Sequence, residues 1–174
     1  MTLETERLVL RPMEAGDAED LHAVYSDPTT FEFISAEPVQ SLSETLERIA
    51  VKSAHQARHG FALWSVVERE SRRVIGDCGL QMLEGGPLVE LGYKLGSEYR
   101  GRGYATEAGR AWVAHGIREF GLDRIVAVCW PDNRASRHVM EKCGMTLVGP
   151  GVYYGCDSVL YEIVRTEAPA TPAG

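Results

Sequence analysis

The first part of the chain carries one strand pattern followed by a helical pattern. Residues 7–11 place three apolar side chains between two arginines and predict a strand, which Pro12 stops. Residues 14–25 then repeat apolar side chains at intervals of three and four, which predicts an amphipathic helix.

A second, longer helix is predicted from a cap at Ser41 or Ser43 to about residue 58. Ser41 and Glu44 have the spacing of a capping box, and Gly60 supplies a stop signal. From the helical period we expect its inner face to consist of Leu42, Leu46, Ile49 and Ser53.

Three strand patterns separated by short polar turns come next. They cover residues 61–68, 74–83 and 88–95 and predict an antiparallel meander. The remaining patterns are two helices, at 103–120 and 133–143, and three strands, at 124–129, 145–148 and 158–164.

This order of elements predicts an α+β fold with one mixed sheet. We place a single domain at residues 3–165, since a chain of 174 residues suits one core. Residues 166–174 are rich in proline and alanine, and we expect a disordered tail there.

The net charge of −7 limits the classes of partner that the protein is expected to bind. Without a dense basic stretch, DNA and RNA are not expected to bind. The sequence has no apolar run long enough for a membrane span and no signal-peptide core, so we expect a cytoplasmic protein without membrane contact. The acidity either serves solubility or favours a cationic substrate such as an amine.

Four cysteines stand apart from one another, without any C-x-x-C pair or zinc spacing, so no metal is expected. Cys78, Cys129 and Cys143 lie in apolar runs and are predicted to be buried small hydrophobes. A catalytic cysteine is the alternative.

The most informative segment is the glycine-containing turn between strand 88–95 and helix 103–120. Gly101 and Gly103 let the backbone approach a ligand at a helix N-terminus, where free N–H groups attract phosphate. A Walker A motif is absent, and a dinucleotide fingerprint fails because Thr106 stands where glycine or alanine is needed.

The pattern Arg100-x-x-Gly103-x-Ala105 resembles the R/Q-x-x-G-x-G/A signature of the GNAT family of N-acetyltransferases. Residues 4–11 (ETERLVLR), 103–108 (GYATEA), 133–136 (NRAS) and 141–145 (EKCGM) are similar to its RimJ/RimL branch. The resemblance covers about residues 3–165.

This resemblance implies a twisted mixed sheet of six or seven strands with helices on both faces. Strands 88–95 and 124–129 would splay apart to admit the pantetheine arm of acetyl-CoA, and the backbone at Leu95 would bind the thioester. The turn that binds the pyrophosphate would comprise Arg100, Gly101, Arg102, Gly103, Tyr104, Ala105 and Thr106.

Two residues of helix 133–143 are further candidates. Asn133 is either an N-cap or, as the resemblance implies, a contact to pantetheine, and both roles can hold. Ser136 shares the inner face with Val139 and Met140. Its hydroxyl either bonds back to the preceding turn or, as in the family, serves the departing CoA thiolate.

An attacking amine must lose a proton, and Glu90 on strand 88–95 is the candidate base, in keeping with the family. On this strand Glu90, Gly92 and Lys94 are predicted to face away from Leu91. The alternative is a glutamate that reaches solvent at the start of the strand. For Glu107 we expect a structural role, because its charge suits a helix N-terminus.

The implied activity is an enzyme that transfers acetyl from acetyl-CoA to a primary amine by direct attack. The amine is a protein N-terminal α-amine or a small molecule, and segment 26–40, with Phe31, Phe33 and Ile34, is expected to shape its pocket. The alternative is a non-catalytic acyl-CoA-binding or regulatory module on the same fold. A homodimer is a further option.

Overall fold

The computed structural model describes residues 1–165. The predicted tail, residues 166–174, lies outside the described residues. The four helices are α1 (Ala18–Tyr25), α2 (Leu42–His59), α3 (Tyr104–Glu119) and α4 (Arg134–Lys142). The strands are β1 (Leu3–Glu4), β2 (Leu8–Arg11), β3 (Leu63–Glu68), β4 (Val74–Met82), β5 (Val89–Leu95), β6 (Arg124–Cys129), β7 (Thr146–Tyr153) and β8 (Cys156–Val164).

The strands form one mixed sheet in the order β1-β2-β3-β4-β5-β6-β8-β7. The predicted meander β3-β4-β5 is confirmed as antiparallel, and β5 and β6 form the parallel pair. The sheet has eight strands rather than six or seven, because two-residue β1 pairs Leu3 with Leu10 on β2. Apart from the added strand, this is the mixed sheet that the resemblance implied.

Helices cover both faces of the sheet, as predicted. On one face α3 and α4 enclose the larger core, where Trp64 of β3 meets Trp112 of α3 with ring centroids 4.7 Å apart. Gly116 lets α3 approach closely, since a Cβ there would lie 2.9 Å from both Leu80 and Ile125. On the other face α1 and α2 cover a smaller core.

The predicted inner face of α2 is wrong in part. Ser41 caps the helix and Gly60 ends it in a left-handed conformation, as expected. The helix is rotated, however, so that Leu42 and Leu46 are 40% exposed and Thr45 is fully buried. A polar contact that hydrophobic spacing does not register accompanies this rotation: the Thr45 hydroxyl lies 3.0 Å from Nδ1 of His22 on α1.

The last two strands are longer than the patterns at 145–148 and 158–164 indicated. They form a hairpin in which Tyr153 pairs with Cys156. The two connecting residues, Tyr154 and Gly155, have φ values of 52° and 72°, as in a two-residue hairpin turn with both residues left-handed. The turn places the Tyr154 side chain beside β5.

The sheet opens between its two central strands. Whereas β4 and β5 are paired along seven positions, β5 and β6 share a single pair, Glu90 with Val126. Beyond that pair the strands diverge towards Leu95 and Cys129, so the predicted splay is present. No helix within residues 1–165 has the length and apolar character needed to cross a membrane.

Candidate active site

A cleft of about 830 Å³ occupies the opening between β5 and β6 and reaches both faces of the sheet. The turn after β5, the first turns of α3 and α4, and the β7–β8 hairpin line it. Ten of the eleven predicted site residues border this cleft, namely Glu90, Leu95, Arg100, Gly101, Gly103, Tyr104, Ala105, Thr106, Asn133 and Ser136.

The phosphate turn has the backbone that its glycines predict. Gly101 and Gly103 have φ values of 72° and 84°, and Gly103 is the N-cap of α3. A Cβ on Gly101 would meet nothing within 4 Å, so that side of the turn is open to a ligand. The free N–H groups of the α3 N-terminus and this open backbone together suit a phosphate group.

The two arginines of the turn do not point their guanidinium groups freely into the cleft. Arg100 donates from Nε to the Leu95 carbonyl at 3.0 Å and from Nη2 to Oγ1 of Thr30 at 2.8 Å, so it braces the turn. Arg102 is the predicted residue that does not line the cleft, and it packs over the Tyr104 ring at 5.3 Å.

Glu107 has the structural role that we expected. Its carboxylate accepts hydrogen bonds from the Thr5 hydroxyl at 2.6 Å and from the Arg7 backbone N–H at 2.8 Å. An ion pair with Arg7 Nε at 2.7 Å completes the set. These bonds fasten the amino-terminal strands to the first turn of α3.

At the start of α4, Asn133 accepts a hydrogen bond from the Ser136 N–H at 3.0 Å, which confirms it as an N-cap. The Ser136 hydroxyl meets the hydroxyl of Tyr93 at 2.8 Å, so its partner comes from β5 rather than from the preceding turn. Tyr93 also donates to the Ser136 carbonyl at 3.0 Å.

Tyr93 is a site residue that the sequence did not reveal. Its alternation on β5 marks it only as one of the core-facing residues. Burial raises the pKa of the Tyr93 hydroxyl, which the Ser136 hydrogen bond opposes. Tyr93 therefore keeps its proton and acts as a neutral hydrogen-bonding partner that orients Ser136.

Glu90 is 5% exposed, which rules out the alternative of a glutamate reaching solvent. Its Oε2 accepts hydrogen bonds from Gln81 at 2.9 Å and from the Tyr154 hydroxyl at 2.5 Å. Burial raises the pKa of Glu90, and these hydrogen bonds together with nearby lysines oppose the rise. The sequence did not indicate Gln81 or Tyr154 as site residues, because only strand pairing and the hairpin turn bring them to the Glu90 carboxylate.

The segment 26–40 gives the cleft an apolar wall. Phe33 and Ile34 line the cleft, and Phe33 packs edge-on against Trp130 with centroids 6.1 Å apart. Phe31, by contrast, was expected here but is buried in the core of α1 and α2. It points away because Arg48 and the α1–α2 core enclose its ring.

Comparison with known proteins decides the family. The model of the acetyltransferase (GNAT) domain matches residues 7–146. The chain belongs to the GNAT acetyltransferase family. This GNAT domain is 34% identical over 137 residues to an uncharacterised N-acetyltransferase, p20, of Bacillus licheniformis, with 78% of this chain and 76% of that protein covered. The N-acetyltransferase YoaA of Bacillus subtilis, also uncharacterised, is 31% identical, with 84% of each chain covered.

Solved structures agree with this assignment. A GNAT-family acetyltransferase from Bacillus anthracis superposes with a TM-score of 0.81 at 28% identity, covering 94% of this chain and 98% of that one. RimL, a ribosomal L7/L12 alpha-N-protein acetyltransferase solved with coenzyme A, superposes with a TM-score of 0.81 at 21% identity, with 94% and 98% covered. The second likeness bears on the fold alone.

Cysteine, histidine and carboxylate side chains do not cluster as a metal site within residues 1–165. Cys78, Cys129 and Cys143 are buried, as expected, and Cys156 is half-buried. The cleft is lined by hydroxyl groups, the buried carboxylate of Glu90, lysines, backbone N–H groups, the Cys129 thiol and the His138 ring.

Proposed function

We propose that this GNAT domain transfers an acetyl group from acetyl-CoA to a primary amine by direct attack. The observation that carries the proposal is the opening between β5 and β6, which joins the phosphate turn to the buried carboxylate of Glu90. The phosphate turn suits a pyrophosphate, and the same cleft holds the buried carboxylate that would act as the base.

In this proposal the turn from Arg100 to Thr106 binds the pyrophosphate through backbone N–H groups, with Arg100 acting as a brace. Arg102 would contribute its backbone and a charge at the rim. The backbone at Leu95 donates to the thioester carbonyl, where negative charge develops during attack. Asn133 caps α4 through its carbonyl oxygen, which leaves its amide nitrogen to contact pantetheine.

Glu90 and Ser136 would handle the protons. Glu90 takes a proton from the incoming ammonium, directly or through water, and the amine nitrogen then forms a bond to the thioester carbonyl carbon. As the carbon–sulfur bond breaks, Ser136 donates a hydrogen bond or proton to the departing thiolate. The second proton that leaves the nitrogen either neutralises the thiolate or restores the Ser136 hydroxyl. Tyr93 holds the Ser136 hydroxyl in place for this step.

The acceptor is a protein N-terminal α-amine or a small-molecule amine. Resemblance of the sequence motifs to the RimJ/RimL branch supports the first. A small amine is named as the substrate of one relative, the spermidine N(1)-acetyltransferase of Escherichia coli, which is 22% identical to this chain. This relative supports the second type of acceptor.

Acetyl-CoA should raise the melting temperature and release its thiol when a suitable amine is present. At 100 times its dissociation constant, a ligand adds roughly 2.7 kcal/mol of stability. For a chain of this size that corresponds to about 5–10 °C. Thermal melts with acetyl-CoA, followed by thiol-release assays over a panel of amines, measure both effects.

Each outcome has a distinct meaning. A melting shift with thiol release confirms an amine-dependent acetyltransferase. A shift without release for any amine would support the non-catalytic acyl-CoA-binding alternative. No shift at saturating acetyl-CoA would contradict the proposal altogether.

A further inference from the structure

Lys52 of α2 reaches into the cleft beside the candidate base. Its Nζ donates to Oε1 of Gln81 at 3.1 Å, and the other end of that amide donates to Oε2 of Glu90 at 2.9 Å. Gln81 stands directly opposite Glu90 in the β4–β5 ladder, which fixes this arrangement. The amide of Gln81 therefore lies between the Lys52 ammonium group and the Glu90 carboxylate, which would accept the proton of the substrate amine.

The two lysines at this end of the cleft differ in their partners. Lys94 is paired with the fully buried Asp77 at 3.3 Å. Lys52, in contrast, forms no ion pair with any residue between 1 and 165, and Gln81 is the acceptor for just one of its three N–H groups. Glu90 takes its own hydrogen bonds from the neutral groups of Gln81 and Tyr154.

A half-buried cation without a counter-ion is electrostatically unfavourable. Burial, and next the charge of Lys94, lower the pKa of Lys52 to about 8, with Asp77 and Glu90 opposing the change. An anion at this position would relieve the penalty and gain charge-assisted hydrogen bonds. A second cation on the ligand would instead be repelled by Lys52, which argues against a polyamine.

We propose that the acceptor is a primary amine carrying a carboxylate close to its nitrogen, as a free α-amino acid does, and that Lys52 binds this carboxylate. The inference rests on the proposed function, because it assumes that the amine lies at Glu90. Two ordinary hydrogen bonds and the amine-to-carboxylate separation of an α-amino acid together span about 8 Å, enough to bridge the distance covered by the Gln81 amide. Phe33, Ile34 and Trp130 would pack against an apolar side chain.

The test compares matched acceptors rather than absolute rates. Leucine and phenylalanine are assayed with acetyl-CoA beside their carboxamides, spermidine and a short peptide with a free N-terminus. The variants are Lys52→Met, which removes the charge, and Lys52→Arg, which keeps it. Arg58→Met is the matched control, since it removes a cation from the exposed end of the same helix.

We expect wild type to prefer the amino acids, and Lys52→Met to lower the ratio of kcat/KM for acid over amide by roughly 10- to 100-fold, the scale of a hydrogen bond to a charged group. Lys52→Arg should keep most of the ratio and Arg58→Met all of it. Because the ratio is compared between variants, differences in the basicity of the amines cancel. A purely structural role of Lys52 would lower acid and amide rates equally.

Failure of this inference differs from failure of the proposed function. Efficient acetylation of amides or peptides, with a ratio that Lys52→Met leaves unchanged, would overturn the role of Lys52 while keeping the acetyltransferase. Preference for spermidine would also overturn it. If acetyl-CoA binds and no amine is acetylated, the proposed function falls, and this inference falls with it.

Discussion

At the scale of single residues, Glu90 experiences two opposed influences on its pKa. Burial makes the charged form costly and raises the pKa, whereas the hydrogen bonds from Tyr154 and Gln81 favour the carboxylate. A carboxylate with a raised pKa accepts a proton more readily than an ordinary glutamate does. Burial thus makes Glu90 a stronger base, and the contacts limit the rise of its pKa.

Replacing Glu90 by glutamine should lower kcat by about 10²-fold, because an amide cannot accept the proton of the ammonium. In the wild-type enzyme the rate should fall as pH drops through the raised pKa of Glu90, since the protonated carboxyl is no base. The variant should lack this acidic limb and recover part of its rate at alkaline pH, where free amine is abundant. The measurement is the pH–rate profile with saturating acetyl-CoA.

Glu119→Gln serves as the matched control, because it removes an exposed carboxylate at the far end of α3. It should leave the profile unchanged, and acetyl-CoA affinity should be similar in all three proteins. Wild-type turnover with an intact acidic limb in Glu90→Gln would exclude Glu90 from the mechanism.

At the scale of elements, the phosphate turn depends on how the chain passes from β5 to α3. Gly103 stands at the N-cap in the left-handed region, where a Cβ would lie 3.4 Å from Nη2 of Arg7. The backbone can adopt this turn because glycine has no side chain. The same conformation exposes the first N–H groups of the helix to the cleft.

Valine at position 103 should weaken acetyl-CoA binding by at least about 10-fold, because a β-branched residue resists a positive φ and would displace the turn. The strain should also cost about 1–3 kcal/mol of unfolding free energy. Titration calorimetry and urea unfolding measure the two effects separately.

Gly121→Val controls for backbone strain alone. Gly121 follows α3 with a φ of 63°, and a Cβ there would meet nothing within 4 Å. This variant should lose comparable stability and keep its acetyl-CoA affinity. Equal affinity in Gly103→Val and wild type would show that the turn is only structural.

At the scale of the whole molecule, the sheet separates two cores, and the larger one adjoins an unusual buried group. His115 is 4% exposed, and its ring lies between Trp112 and Phe120 with centroids 5.7 and 5.2 Å away. Neither ring nitrogen has a hydrogen-bond partner within residues 1–165. Burial consequently lowers the pKa of His115 below its ordinary value of 6.5.

This burial predicts a stability that falls on acidification. Below about pH 6.5 this histidine is protonated in the unfolded chain but stays neutral in the folded protein. This difference in bound protons persists until the pH reaches the lowered pKa of His115 in the folded state. The loss should approach about 1.4 kcal/mol per pH unit in that window. Urea unfolding across the window should show a shallower decline for His115→Phe, which keeps an aromatic ring without a titrating group.

The comparison concerns the slope and not the absolute stability, since phenylalanine also changes the packing. His138→Phe is the control for the change of side chain, because it makes the same substitution at an exposed histidine on α4. Parallel slopes for wild type and His115→Phe would show that His115 is protonated equally in the folded and unfolded chain.

Most elements and many residues of the candidate site could be predicted from the amino-acid sequence alone. The spacing of apolar residues predicted the meander, α3 and α4, because an element that is buried on one face repeats apolar side chains at regular intervals. Local chemistry placed the Ser41 cap, the Asn133 cap and the glycine turn, since each acts within a few residues. The pleat of β5 also assigned Glu90 and Leu91 to opposite faces correctly.

Tertiary structure decided which side chains meet across long sequence separations. Three such contacts are those of Thr45 with His22, of Ser136 with Tyr93, and of Glu90 with Tyr154 in the hairpin turn. None of these leaves a periodic signal, because a polar contact between distant segments involves one residue from each. The placement of Lys52 beside the candidate base likewise exists only once α2 packs on the sheet, since its position on the helix surface is fixed by that packing.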